Sequence, residues 1–238
     1  MASVLIEEGC EVPDGLRTLA DFRQWTQTNR FPQRGRIDWI GSRIEVDMSP
    51  EDLFTHGSLK SAIVARLWEL ARGRGMHVFT GETRVSSVFG DVSAEPDLVV
   101  VSEESLADGR VRAVPAASGK PDRFVEFEGA VDLIVEIVSD SSVANDTRRL
   151  PPAYRAAGVR EFWLIDARGD DVRFEIHCWG ERATDHARAS SAGGEDAAAS
   201  GTRQASHVSA VFATAFTIHR TRNPAGRYVY DLVPTGDG

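Results

Sequence analysis

Two carboxylates fall where chemistry is possible. Asp97 opens the apolar run of "AEPDLVVV", and Glu136 interrupts "VDLIVEIVSDSS", residues 131–142. Six of the first eight residues of the second segment are apolar and three are valine, the pattern of a strand buried on both faces. No lysine or arginine shares that strand with Glu136. A buried carboxylate costs several kcal/mol unless something compensates it. If the two strands are neighbours, Asp97 and Glu136 face each other. With waters and a backbone carbonyl they then suit a hard divalent cation such as Mg²⁺ or Mn²⁺, with oxygens about 2.0–2.6 Å from the metal. The cation would bring the missing positive charge. Simpler alternatives are an exposed Asp97 at a strand end and an ion pair from Glu136 to Arg148 or Arg155. Asp132, on the same strand, shows that acids occur here without a special role.

The elements that must position these groups can be read from periodicity. Residues 55–72, "THGSLKSAIVARLWELAR", carry an apolar stripe of Leu59, Ile63, Leu67 and Leu70 closed by Gly73, the pattern of a helix. Three strand-like segments follow, "MHVFTGETRVSS", "EPDLVVV" and "VDLIVEIVS", with residues 102–123 expected as a loop between the last two. "PPAYRAAG" predicts a short helix ending at Gly158, and "EFWLIDA" a further buried strand before "DVRFEIHCWG". Ahead of this core, "TLADFRQWTQTN" predicts a helix, and "RIDWIGSRIEVDMSP" a hairpin turning at Gly41-Ser42. Residues 183–206, rich in Ala, Ser and Gly, are expected as a mobile loop. "HVSAVFATAFTIHRT" and "GRYVYDLV" predict closing strands joined at Asn223-Pro224. The order of helix, three strands, crossover helix and strand implies an α/β arrangement with a mixed sheet. The expected organisation is a single domain over 1–238, with its core at about 36–180, the loop at 183–206 and the closing strands at 207–235.

Composition narrows the function. The chain has 238 residues and a net charge of −9, which argues against broad, non-specific nucleic-acid binding but not against a local basic groove. No apolar run approaches the roughly 20 residues of a membrane span. The N-terminus lacks the basic region of a signal peptide. Cys10 and Cys178 match no metal spacing, and reduced thiols in a cytoplasmic protein are expected. Only Lys60 and Lys120 are lysines among 27 basic residues, so a catalytic lysine has few candidates.

"EPDLVVV", "VDLIVEIVSDSS", "ND" and "YRAAGVREFWLID", in this order and spacing, resemble the second Uma family of restriction-type endonucleases, grouped with the PD-(D/E)XK nuclease superfamily. "MSPEDLFTHGSLKSAIVARL" and "SAVFATAFTIHRTRNPAG" are similar to that family as well, so the resemblance covers about residues 36–235. It implies a restriction-endonuclease-like core of helix, three strands, helix and strand. It implies Asp97 and Glu136 as metal-holding acids and DNA phosphodiester hydrolysis as the reaction. His56 matches the family's histidine, to hydrogen-bond a metal water or a phosphate, or else to stand at a helix start without a role. Asp146 matches an aspartate before the second helix, where N-capping is also open. Ser139, Ser141 and Ser142 are phosphate donors or turn residues.

The pattern breaks at the lysine. The motif position two residues after Glu136 is Val138. The shifted position that the family uses, midway between Asp146 and Tyr154, is Leu150, after Arg148 and Arg149. Arg149 can supply charge to orient water or stabilise a transition state, but stays protonated and cannot act as a base. Pro151 and Pro152 put the helix start near Leu150, leaving Arg149 just before it. Lys60 lies one turn beyond His56 on the same face, as a distant candidate or simply a solvated side chain. The leading reading is a metal-dependent endonuclease weakened by the missing lysine. The alternative is a catalytically degenerate nuclease-fold protein that binds nucleic acid or a protein partner, and a third reading is a binding module with Glu136 in a buried ion pair. A homodimer is expected, since Trp25, Phe31, Trp39, Phe212 and Phe216 offer more apolar surface than one core needs.

Overall fold

The computed structural model describes residues 12–32, 34–179 and 207–235. Four α-helices, two π-helical turns and fourteen strands are found among them. The chain starts with α1 (Leu19–Thr26), held by a capping box in which Thr18 and Asp21 satisfy each other's backbone amides. The hairpin β1 (Arg36–Ile40) and β2 (Ile44–Asp47) follows. Its turn residues Gly41 and Ser42 both have positive φ, as a two-residue hairpin turn requires.

The π-helical turn Leu53–Gly57 leads into α2 (Ser58–Ala71). The strands β3 (Met76–Thr80), β4 (Arg84–Ser87), β5 (Val92–Ala94) and β6 (Leu98–Ser102) come next, then α3 (Glu103–Ala107), β7 (Val111–Pro115), β8 (Phe124–Gly129) and β9 (Leu133–Ile137). The second π-helical turn, Asn145–Arg149, runs into α4 (Leu150–Ala156), which begins at Leu150 because Pro151 and Pro152 are tolerated only in its first turn. The described chain closes with β10 (Glu161–Asp166), β11 (Arg173–Cys178), β12 (His207–Ser209), β13 (Thr214–Arg222) and β14 (Tyr228–Pro234).

The central sheet has the order β11-β10-β9-β6-β3. β3, β6 and β9 form an antiparallel meander, and α4 crosses over to set β10 parallel to β9. This is the expected mixed α/β core. Alternation along β9 sends Leu133, Val135 and Ile137 toward α2 and the closing strands, and Ile134 toward α4 and the second sheet.

Two expectations are corrected. "MHVFTGETRVSS" is two strands in different sheets, broken at Gly81, whose φ of +65° turns the chain away. Residues 102–123 are not simply a loop: they contain α3 and β7, which pairs with β8 at the edge of a six-stranded sheet, β2-β1-β5-β4-β8-β7. The turn at 223–227 is found as expected, with the Asn223 amide donating to the Arg227 carbonyl. The expected mobile loop at 183–206 lies outside the described residues.

Candidate active site

Asp97 stands just before β6, after Pro96, opposite Glu136 if the β6–β9 register is continued by one pair. Its Oδ2 accepts from the Ile137 amide at 2.8 Å, and Lys60 Nζ lies 2.9 Å from Oδ1. His56 places Nε2 at 2.8 Å from the Ile137 carbonyl and 3.3 Å from Asp97, and Nδ1 at 2.5 Å from Glu51. Both imidazole nitrogens face acceptors, so the doubly protonated ring is the form that satisfies them. Burial pulls the His56 imidazolium down, but Asp97 and Glu51 outweigh it and hold its pKa above the ordinary value. Lys60 is raised in the same way against the same desolvation. Burial also works to raise Asp97, yet His56 and Lys60 hold it well below the usual carboxylate range. Lys60 is therefore not a solvated side chain. With Glu51 at 3.1 Å it completes a group of two acids and two bases whose charges cancel.

The second group does not balance. Glu136 is fully buried, and its counter-charge comes from β1: Arg36 Nη2 lies 3.1 Å from both carboxylate oxygens. Arg148 and Arg155, considered from sequence, are not its partners. Arg36 Nε also donates to Asp38 at 2.9 Å, and Nη2 lies 4.0 Å from Asp146 Oδ1. One guanidinium thus faces three carboxylates, all buried.

Asp146 is not an N-cap. It points inward, accepts from the Ser142 hydroxyl, and leaves Oδ1 buried with no hydrogen-bond partner. Tyr154 on α4 donates to Glu136 at 2.7 Å. Burial pushes Glu136 up to about 8 against the pull of Arg36, and Asp146 up to about 6 for the same reason. If all three acids ionise, the group lacks two positive charges, which two protons or one divalent cation would supply.

Arg149 lies apart from both groups, with Nη1 2.5 Å from Glu45 and 2.8 Å from Asn145. It lines an open cleft with Asp47, Met48, Ser49 and Ser141, beside the hydrogen bond of 2.6 Å from Ser141 to Asp47. Val138 and Leu150, the two lysine positions of the motif, are both buried. Sequence reasoning missed Arg36, Asp38 and Glu51. Arg36 lies 100 positions from Glu136, and no local pattern announces such a pair.

The sequence model of the Uma2 family, described as "Putative restriction endonuclease", matches residues 19–202. The chain belongs to the Uma2 family. The match begins at α1, earlier than the resembling motifs, and stops before the closing strands β13 and β14. No curated protein matches. Among solved structures, the chain is similar to the crystal structure of "a putative nuclease belonging to DUF820" from Anabaena variabilis ATCC 29413. That similarity is 20% identity with a TM-score of 0.45, over 68% of this chain and 84% of that one. Among the described residues no helix is long and apolar enough to cross a membrane. The aromatic residues that suggested a dimer are largely internal: Trp25, Trp39, Phe212 and Phe216 are buried in the cores of this chain, and so supply no dimer surface.

Proposed function

We propose that this Uma2 protein is a divalent-metal-dependent endonuclease that hydrolyses DNA phosphodiesters. The observation that carries the reading is the charge deficit around Glu136. Asp38, Glu136 and Asp146 share one arginine, and Asp146 Oδ1, 4.0 Å from that arginine, is buried without a hydrogen bond. Hard oxygen donors with an excess of two negative charges fit Mg²⁺ or Mn²⁺. Glu136 and Asp97 would hold the cation, with Asp146 as a further oxygen donor. Among the described residues no group of three His, Cys, Asp or Glu side chains is placed to hold a metal ion, so the reading rests on the charge deficit and not on a preformed ligand set. The cation would neutralise charge developing on the phosphoryl oxygens and acidify the attacking water.

The chain's own residues divide the remaining work. Lys60 takes the place of the motif's lysine from a different element. It reaches Asp97 from α2, where its ammonium stabilises charge at the scissile phosphate. His56, protonated and tied to the Ile137 carbonyl, fixes the strand end that carries Glu136 and donates toward Asp97. Tyr154 orients the Glu136 carboxylate. Arg149 guards the cleft and offers a phosphate contact once it leaves Glu45.

A second reading is supported by Arg36. It already engages both Glu136 oxygens, as expected of a nuclease fold that binds nucleic acid without cutting it. Supercoiled plasmid incubated with wild type and Mg²⁺ or Mn²⁺ separates the two. Cleavage that needs metal and vanishes in Glu136→Gln supports the nuclease. Plasmid left intact by wild type at any metal concentration, while still bound, supports the second reading. A homodimer and a cytoplasmic location remain part of the proposal. The free thiol of Cys178 suits a reducing compartment, and light scattering at micromolar concentration tests the dimer.

A further inference from the structure

The closing hairpin reaches past the core. Phe216 and Ile218 on β13, with Tyr230 and Leu232 on β14, pack in the cluster that contains α2. Strand alternation continues that face into Arg220, Arg222 and Tyr228, where the apolar surface ends. The guanidiniums of Arg220 and Arg222 lie 4.5 and 4.1 Å from the centroid of the Tyr228 ring. Arg227, in the turn, lies 5.1 Å from the centroid of Phe54.

Among the described residues none of these arginines pairs with a carboxylate. Arg220 donates to the carbonyls of Ala167 and Gly169, and Arg222 to the Gly226 carbonyl and the Tyr228 hydroxyl. The acids on the same elements are committed elsewhere. Asp52 accepts from the Phe54 and Thr55 amides, and Asp231 lies on the other face of β14, 3.6 Å from Arg66.

The hairpin also reaches the sheet end that carries the carboxylates, on the α2 face opposite Glu136. β9 and β10 are parallel, with Leu164 beside Glu136, so the turn after β10 leaves the sheet at the same end as Ser139–Ser142. Arg220 is bonded to that turn. Phe54, under Arg227, lies two residues before His56, whose ring meets the Ile137 carbonyl.

We propose that Arg222 and Arg227 hold the sugar-phosphate backbone of duplex DNA where it leaves the carboxylate site. The proposal rests on the nuclease reading and adds a surface to it. Stacking on Tyr228 and Phe54 fixes the direction of each guanidinium while leaving its charge available to a phosphate. Contacts of this type position a duplex without reading its sequence. The net charge of −9 repels DNA from the molecule as a whole, so a local patch of unpaired arginines directs where it docks.

The test is fluorescence anisotropy of a labelled duplex across a salt series, with Ca²⁺ in place of Mg²⁺. It compares the full wild-type chain with the double variant Arg222→Ala/Arg227→Ala, with thermal melting as a folding control. The proposal expects the double variant to melt like wild type and bind about tenfold more weakly or worse at low salt. Its log–log salt slope should fall by about 2, at about 0.9 per phosphate contact. Binding by the double variant with wild-type affinity and slope, while wild type cleaves with metal, would overturn this surface and leave the nuclease reading standing. Weakened binding by the double variant, with no cleavage by wild type, would support the surface and overturn the nuclease reading. No salt-dependent binding of the duplex by wild type would overturn the surface.

Discussion

Replacing Arg36 with glutamine removes the one cation shared by Asp38, Glu136 and Asp146. Glutamine is shorter and neutral, so the contact of Nη2 with both Glu136 oxygens at 3.1 Å and the contact of Nε with Asp38 at 2.9 Å are both lost. Breaking a buried pair by removing one partner costs about 3–5 kcal/mol when the remaining charge has no compensation. That cost depends on pH. Glu136 and Asp146 already have folded-state pKa values raised by burial, to about 8 and about 6, and loss of Arg36 raises them further. A carboxyl raised in the folded state favours folding below its unfolded pKa, and that advantage is lost as pH rises through the folded value. At pH 5 the two acids hold protons and only the hydrogen bonds are missing, worth about 1–2 kcal/mol. At pH 9 the wild type has both acids ionised beside Arg36, whereas the variant must either hold their protons against that pH or ionise them with nothing opposite, and a loss of about 3–5 kcal/mol is expected. For a chain of this size that is a melting-point drop of about 6–20 °C. Thermal unfolding of wild type and Arg36→Gln at pH 5, 7 and 9 measures it. An equal loss at all three values would refute the claim that Arg36 compensates ionised carboxylates.

Three further outcomes follow from the same geometry. Tyr154→Phe deletes the 2.7 Å donor to Glu136 and is expected to cost about 1.5–3 kcal/mol in urea unfolding, since the bond meets a buried carboxyl group. Asp146→Asn keeps the Ser142 contact but removes a carboxyl raised to about 6, so it should gain about 1–3 kcal/mol over wild type above pH 6 and nothing at pH 4. Lys60→Met leaves Asp97 without its 2.9 Å partner and is expected to lower the rate of metal-dependent cleavage by about 10²–10³ while the duplex still binds. A Lys60→Met rate within a few fold of wild type would remove Lys60 from the site.

The parts of the fold that speak through local periodicity were legible. Leu59, Ile63 and Leu67 mark α2, the prolines fix the start of α4, and the apolar runs LIVEI and EFWLID mark β9 and β10. That the strands carrying Asp97 and Glu136 are neighbours also follows from strand order. What the sequence withheld is long-range charge balance. Arg36 sits in an ordinary hairpin and gains its meaning only when β1 is carried against β9. Lys60 looks solvated on a helix wheel, and its contact with Asp97 depends on how α2 lies across the end of β6. The second sheet was hidden for another reason: β4, β5 and β7 are short strands separated by Gly, Pro and Ser, so turn chemistry masks their alternation. The aromatic residues read as a dimer surface fill internal cores instead, because α1 folds back on β1 and the closing strands fold onto α2.

The central claim is that the buried carboxylates lack two positive charges and take up one divalent cation. Calorimetric titration of the apo protein with Mn²⁺ at pH 8 tests it most directly, beside Glu136→Gln and Asp97→Asn. Saturable binding of one ion per chain, lost or strongly weakened in both variants, is the predicted result. No saturable binding by wild type, or binding that both variants retain unchanged, would contradict it.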